Sequence, residues 1–233
     1  MRSIADNLQA VKARIAGAAR AVGRDPGAVA LLAVSKTHAS ALIEEALRAG
    51  QRAFGENYVQ EALDKMAALV LQPIEWHLVG PLQSNKTRAV AERFQWVHGI
   101  DRERIARRLS EQRPEGMPPL DVLLQVNVSG EASKSGVAPR EAAPLAKAVA
   151  AMPRLRLRGL MAVPEPTGDE RAQRARFREV RELFETLQRQ GLALDTLSMG
   201  MSADMEAAIA EGSTMVRIGT AIFGERRKVR DAA

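Results

Sequence analysis

Cysteine is absent from this chain of 233 residues, which excludes disulfide bonds, thiol nucleophiles and cysteine-ligated metal sites. Aromatic residues make up 3% of the sequence, so the stacking platforms of single-stranded nucleic-acid-binding proteins are scarce. No apolar run approaches the roughly 18 residues of a transmembrane helix. Residues 1–6 contain neither an apolar signal core nor a small-residue cleavage site. These absences predict a soluble, cytoplasmic protein with no membrane partner.

Positive charge is in moderate excess, because 34 Lys and Arg residues outnumber 28 Asp and Glu residues. The net charge of +6 is compatible with an anionic partner such as nucleic acid. The basic residues are scattered, however, apart from the run Arg226-Arg227-Lys228 near the C-terminus. Scattered charges are typical of solvated helix faces. We therefore expect no nucleic-acid partner, and we interpret residues 225–233 as a polar tail.

The chain opens with the pattern of an amphipathic helix, in which apolar residues recur at spacings of three and four. The members of this stripe are Ile4, Leu8, Val11, Ile15, Ala18 and Val22. Asp25-Pro26-Gly27 then interrupts the pattern with turn-forming residues. The sequence thus predicts one helix ahead of the main body of the protein.

Beyond residue 28, short apolar segments alternate with helical patterns. The predicted strands are residues 29–35, 52–55, 75–79, 96–99, 120–128, 157–163, 194–199 and 215–219. The predicted helices are residues 40–49, 56–70, 84–94, 102–111, 139–152, 169–190 and 203–211. Such alternation indicates parallel β-α-β units, which build either a doubly wound open sheet or a closed barrel. The eight strands, their even spacing and the lack of a linker favour a single (β/α)8 TIM-type barrel over residues 1–224.

Lys36 directly follows the first predicted strand, where catalytic groups of such barrels are found. Because side chains alternate along a strand, Val34 and Lys36 share a face with the apolar residues before them. If that face is the barrel interior, burial favours the neutral amine, which is nucleophilic towards aldehydes. The alternative is a lysine that marks the end of the strand and extends into water.

Glycine and hydroxyl residues follow the last two predicted strands. Ser198 lies at the end of the seventh predicted strand, followed by Gly200 and Ser202, and Gly219 ends the eighth, followed by Thr220. These two loops frequently form the phosphate site of barrel enzymes. We therefore predict an anion site here, with Ser202 as a helix N-cap. The alternative is that both glycines are ordinary turn residues.

Arg217 lies within the eighth predicted strand, on the face opposite Val216 and Ile218. If those two residues pack against the outer helices, Arg217 points into the barrel. A buried guanidinium stays protonated and needs an acceptor. That acceptor is either an acidic residue of the core or a ligand atom such as the nitrogen of a pyridine ring.

An amine, an anion site and an inward guanidinium match the aldehyde, phosphate and ring nitrogen of pyridoxal 5′-phosphate (PLP). Five segments of the chain resemble the pyridoxal phosphate homeostasis protein family, which is related to the barrel domain of alanine racemases. They are AVSKT at 33–37, FGENY at 54–58, WHLVGPLQSNK at 76–86, SMGMSADM at 198–205 and GSTMVRIGTAIFG at 212–224.

This resemblance implies roles for individual residues. It implies that Lys36 forms a Schiff base with PLP, that Arg217 faces the pyridine nitrogen and that Asn57 lies near the ring. It also implies which residues surround the phosphate, namely Ser198, Gly200, Ser202, Gly219 and Thr220. The implied function is that of a non-catalytic carrier or regulator of vitamin B6 supply, with PLP-dependent apoenzymes as partners.

The chain departs from the family pattern directly after Lys36. Similar proteins carry a second lysine and then a proline where this sequence has His38 and Ala39. The departure concerns the second lysine and leaves the Schiff base untouched. Lys134 matches a further lysine of the family, and we expect it to be solvated rather than to contact a second cofactor molecule.

The alternative function is that of a fold-type III PLP enzyme, a racemase or decarboxylase of low activity. Racemisation needs a base on each face of the α-carbon, and related racemases supply the second base, a tyrosine, from a further domain. This chain ends shortly after the eighth predicted strand, so we expect that domain to be missing. A guanidinium at the ring nitrogen also donates a hydrogen bond without readily transferring its proton.

Three other features carry weaker expectations. His77 and His98 occupy strand positions, where a histidine is more often structural than functional, although either can titrate near neutrality. The histidines show no metal-ligand spacing, so we predict no metal site. No long apolar seam is evident, which predicts a monomer.

Overall fold

The computed structural model describes residues 3–129 and 135–225. Its eight strands are β1 (Ala30–Val34), β2 (Ala53–Glu56), β3 (Glu75–Leu78), β4 (Trp96–Ile100), β5 (Leu120–Gln125), β6 (Leu155–Met161), β7 (Thr196–Ser198) and β8 (Met215–Ile218). The α-helices of this part are α1 (Ile4–Ala21), α2 (Ser40–Arg48), α3 (Val59–Ala68), α4 (Thr87–Arg93), α5 (Glu103–Gln112), α6 (Pro139–Ala150), α7 (Glu170–Arg189), α8 (Met205–Ala210) and α9 (Thr220–Phe223).

The strands form one closed parallel barrel in chain order. Each strand pairs with the next, and β8 pairs with β1 to close the ring. The predicted barrel architecture and the extra N-terminal helix are therefore both confirmed. Because all strands run in the same direction, the loops that follow them gather at one end of the barrel.

Helix α1 packs on the outside of the barrel against α2, α8 and α9. Its buried stripe is Ile4, Leu8, Val11, Ile15 and Ala19. The prediction that Val22 completes this stripe is wrong: Val22 is 41% exposed and forms the C-cap, where the backbone leaves the helix. Ala19 takes the last buried position instead.

Two predicted helix starts are also wrong. The third helix begins at Val59 rather than at Glu56, because Glu56 ends strand β2 and its carboxylate is bonded to Ser35 and Lys65 inside the protein. The eighth helix begins at Met205, after a turn in which the N–H of Met201 donates to Asp204 Oδ1 at 2.6 Å. Its N-cap position is Asp204, so the prediction of a Ser202 cap is not borne out.

Strand β6 contains a bulge that the sequence pattern did not indicate. Val122 of β5 lies opposite Leu157, but the next residue, Leu123, lies opposite Gly159, which leaves Arg158 as the extra residue. Gly159 has a φ of +155°, and a Cβ there would lie 1.8 Å from the carbonyl oxygen of Thr196. This close approach of β6 to β7 therefore requires glycine.

Within the described ranges, no helix has both the length and the apolar character needed to span a bilayer. Lys134, the Arg226-Arg227-Lys228 run and most of the predicted tail lie outside the described residues. The domain boundary at residue 224 stays a prediction.

We predict that Gly159→Ala lowers the free energy of unfolding by about 3 kcal/mol or more, because the new methyl group forces the β6 and β7 backbones apart. The midpoint of urea unfolding measures this loss. Gly168→Ala is the matched control, since a Cβ at Gly168 meets nothing within 4 Å. Equal midpoints for the two variants would contradict the assigned bulge.

Candidate cofactor site

A cavity of about 350 Å³ opens at the end of the barrel where the strands terminate. Its volume lies in the range of small-molecule sites. The lining residues are Val34, Lys36, His38, Asn57, Val79, Val163, Met201, Ser202, Ala203, Arg217, Gly219 and Thr220. Six of the eight predicted site residues are thus brought together, and Ser198 and Gly200 are not part of the lining.

Lys36 reaches the cavity as the alternation along β1 predicts. Val34 and Lys36 both line the cavity, while Ser35 between them is fully buried on the other side of the strand. The Ser35 hydroxyl donates to Glu56 Oε1 at 2.6 Å. The lysine side chain therefore extends from a backbone segment that is held inside the protein.

The turn after Lys36 is strained. Thr37 has a φ of +65°, the one positive φ of a non-glycine residue in the described part of the chain. This conformation is costly for a β-branched side chain and persists where neighbouring groups enforce it. The Thr37 N–H donates to Glu61 Oε1 at 2.5 Å, and His38 N–H donates to the Ser35 carbonyl oxygen at 3.1 Å. These contacts hold the backbone on the C-terminal side of Lys36.

A buried ammonium group joins these anchors. Lys65 Nζ donates to the Ser35 carbonyl oxygen at 2.8 Å and to Glu56 Oε1 and Glu61 Oε1 at 2.7 Å each. The Lys65 side chain is 6% exposed and that of Glu56 is fully buried. Burial raises the pKa of Glu56, whereas the charge and hydrogen bond of Lys65 oppose that rise. Lys65 thus stabilises a carboxylate and the Lys36 loop together.

Arg217 points into the barrel, as predicted from its position on β8. It is 6% exposed, and its Nη1 donates to the carbonyl oxygen and the hydroxyl oxygen of Ser198 at 2.5 and 2.8 Å. Its Nη2 donates to the carbonyl oxygen of Ala162 at 2.8 Å. All three acceptors are uncharged, so within the described residues the first of the two alternatives, an acidic core residue bonded directly to Arg217, is not found.

The Arg217 side chain retains donors for a ligand. A guanidinium carries five N–H groups, and the three bonds to Ser198 and Ala162 engage three of them. Burial lowers the pKa of Arg217 to about 10, and the nearby Asp204 opposes this shift. The group is therefore still a cation at neutral pH.

Small and hydroxyl residues form the side of the cavity next to β8. Ser202 and Thr220 contribute hydroxyl groups, and Gly219 lies between Thr220 and the strand. A Cβ at Gly219 would lie 3.0 Å from the carbonyl oxygen of Val34, so glycine lets the loop approach β1 closely. This arrangement gives an anionic group access to hydroxyl donors beside the Arg217 cation.

Asn57 lines the cavity where two loops lie close together. A Cβ at Gly80 would lie 2.2 Å from the Asn57 carbonyl oxygen, so the loop after β3 can pack against the loop after β2 with glycine alone. The neighbouring Tyr58 is 60% exposed and does not line the cavity.

Ser198 and Gly200 support the site from behind the lining. Ser198 is fully buried and accepts from Arg217, as described above. Gly200 has a φ of +98°, and a Cβ there would lie 2.6 Å from the Cβ of Ala208. Its carbonyl oxygen accepts the backbone N–H of Arg217 at 3.0 Å. Both residues therefore hold Arg217 and the loop after β7 in place.

Comparison with known proteins identifies the family. The sequence family described as the alanine racemase N-terminal domain matches residues 6–227 of this chain. A pyridoxal phosphate homeostasis protein of Pseudomonas aeruginosa is 63% identical over 226 residues, which cover 97% of each chain. The chain belongs to the pyridoxal phosphate homeostasis protein family. The Vibrio cholerae protein of the same name is 56% identical over 236 residues, with full coverage of both chains.

A solved structure of this family has the same fold. PipY of Synechococcus elongatus, determined with PLP bound, matches with a TM-score of 0.84 and 37% sequence identity. The match covers 95% of this chain and all of PipY.

Several residues that line the cavity of this protein were not predicted from its sequence. Val79 directly follows β3 and Val163 lies two residues after the end of β6, so inspecting every strand end would have found them. His38 was noted as a departure from the family pattern, yet it lines the cavity, and its ring lies 5.3 Å from that of Phe223. The sequence signal for His38 was its position two residues after Lys36.

The buried Lys65–Glu56 pair yields a prediction with a defined pH dependence. Burial raises the pKa of the Glu56 carboxyl group in the folded protein. Because the folded protein then holds this proton more tightly than the unfolded one, the contribution of Glu56 to stability falls as the pH rises above about 4. Lys65→Met removes the ammonium group that opposes this shift in Glu56. We expect the variant to lose about 3–5 kcal/mol of stability at pH 7, and less at pH 4.

Urea unfolding of both proteins between pH 4 and 7 measures this effect. Lys147→Met, at an exposed position of α6, is the matched control and should unfold like the wild type at each pH. A loss in Lys65→Met that does not change with pH would contradict the assigned charge pair.

Proposed function

We propose that the cavity binds PLP and that the protein is a non-catalytic carrier and regulator of vitamin B6 supply. The observation that carries this proposal is the presence in one cavity of an amine, a buried cation and hydroxyl groups, from Lys36, Arg217, Ser202 and Thr220. These groups complement the aldehyde, ring nitrogen and phosphate of PLP. Support comes from the relatives named for pyridoxal phosphate homeostasis and from PipY with PLP bound.

Lys36 supplies the covalent contact in this proposal. When PLP is bound, the Lys36 amine would hold its aldehyde carbon as a Schiff base, with the aldehyde oxygen released as water. The anchored turn at Ser35 and Thr37 fixes the backbone from which the side chain extends. Val34, Val79 and Val163 give the cavity apolar walls.

The remaining residues orient the cofactor. Arg217 directs a spare N–H to the ring nitrogen, and Asn57 lies at the rim beside the ring. Ser202, Gly219 and Thr220 hold the phosphate, while Gly200 shapes the loop that carries Ser202. Ser198 contributes through Arg217, because it bonds the guanidinium and does not line the cavity.

The same contacts support a role without catalytic turnover. PLP supplies a conjugated ring that withdraws electrons from a bound amino group. Arg217 remains protonated at neutral pH, and it therefore holds the ring nitrogen by a hydrogen bond without transferring a proton to it.

Absorbance titration tests cofactor binding and the role of Lys36. Wild-type protein mixed with PLP should develop the visible band of a Schiff base, and borohydride should abolish the band by reducing it. Lys36→Ala should develop no band, whereas the control Lys147→Ala should match the wild type. A protein that takes up no PLP, or an unchanged band in Lys36→Ala, would overturn the proposed function.

One observation favours a second candidate, a low-activity fold-type III enzyme. His38 lines the same cavity as Lys36, and racemisation needs two bases. The carrier proposal predicts that L-alanine in D₂O with the PLP-loaded protein gains α-deuterium no faster than with free PLP. Exchange well above that background, and lost in His38→Gln, would instead establish the enzyme.

A further inference from the structure

Polar side chains cross the barrel interior from the cavity towards its opposite end. Glu75 and His77 lie on one face of β3, His98 on β4, Ser198 on β7 and Arg217 on β8. His77, His98 and Ser198 are fully buried, whereas the side chain of Glu75 is 49% exposed at the start of its strand. We call these five residues the polar chain.

Every neighbouring pair of the polar chain is within hydrogen-bond distance. Arg217 Nη1 lies 2.8 Å from Ser198 Oγ, which lies 3.0 Å from His98 Nδ1. His98 Nε2 lies 3.0 Å from His77 Nδ1. His77 Nε2 lies 2.8 Å from Glu75 Oε1. A buried cation at the cavity is thereby connected to a carboxylate that contacts solvent.

The two ends of the polar chain determine the direction of every bond. At one end, Arg217 can only donate. At the other end, the hydrogen bond from His77 lowers the pKa of Glu75, and the ionised carboxylate can only accept. Arg158 and Trp96 also face Glu75, and both lower its pKa further.

Both histidines are neutral, because burial lowers the pKa of His77 and lowers that of His98 well below its ordinary value. The one arrangement that satisfies all four bonds has Ser198 donating to His98 Nδ1. His98 Nε2 then donates to His77, and His77 Nε2 donates to Glu75.

We propose that Ser198, His98, His77 and Glu75 are positioning residues for Arg217. They hold the Ser198 hydroxyl in the orientation that accepts from the guanidinium, and they align four bond dipoles between the cation and a distant carboxylate. This inference rests on the proposed function, in which Arg217 contacts the ring nitrogen of PLP. It assigns Glu75, at the far end of the barrel, an influence on how firmly the cofactor is held.

The alignment is directly observable without cofactor. The chain has three histidines, so long-range ¹H–¹⁵N spectra of the protein without PLP can resolve each ring. At neutral pH, His77 and His98 should both be neutral Nε2–H tautomers. A charged ring or an Nδ1–H tautomer at either position would overturn the proposal.

Substitution at both ends of the polar chain tests the effect on the cofactor. Ser198→Ala removes the bond to Arg217, and Glu75→Gln keeps an acceptor oxygen at a half-exposed position while removing the charge. We expect each to weaken PLP binding by about threefold to tenfold and to shift the absorption maximum of the bound cofactor. Glu115→Gln, an exposed carboxylate before β5, is the control and should bind like the wild type.

The outcomes separate this inference from the function on which it rests. If the wild type takes up PLP and both substitutions leave its dissociation constant and absorption maximum unchanged, the positioning role is overturned and the carrier proposal stands. Lower unfolding midpoints with unchanged dissociation constants would show a merely structural role and would also overturn it. Failure of the wild type to take up PLP would overturn both.

Discussion

The burial of the Arg217 guanidinium inside a closed barrel is the constraint on which the rest of the site depends. A buried cation is tolerated where its N–H groups find acceptors. Here the acceptors are the Ser198 hydroxyl and the carbonyl oxygens of Ser198 and Ala162. They belong to β7 and to the segment after β6, so they converge on β8 because the strands are neighbours in the barrel. Gly159 allows β6 and β7 to approach closely enough for this.

The other half of the site depends on a second buried ion cluster. Lys65 joins Glu56, Glu61 and the Ser35 carbonyl oxygen, and so holds both sides of the strained turn that presents Lys36. The cavity thus lies between two hydrogen-bonded clusters of side chains and carbonyl oxygens, one behind Lys36 and one around Arg217. Such preorganisation suits the proposed binding of PLP in one orientation.

Local patterns in the sequence were sufficient to predict the barrel and to place Lys36 and Arg217 at the cavity. Alternation of short strands and helices predicts β-α-β closure, and the period of two along β1 and β8 correctly places Lys36 and Arg217 at the interior. Features that depend on pairing between distant segments were not predictable in this way. The bulge at Arg158 arises from the register between β5 and β6, and Glu56 stays in its strand because of Lys65. The hydrogen bond between His98 of β4 and His77 of β3 likewise joins two strands, and the spacing of these residues in the sequence does not indicate it.

Peptide mapping of the borohydride-reduced complex tests the central claim most directly. PLP is added to the protein, the complex is reduced, and the site of the phosphopyridoxyl group is located by mass spectrometry of the digest. The account predicts one group per chain, on the peptide that contains Lys36. A label on any other lysine of the chain, or a label spread over several lysines, would contradict it.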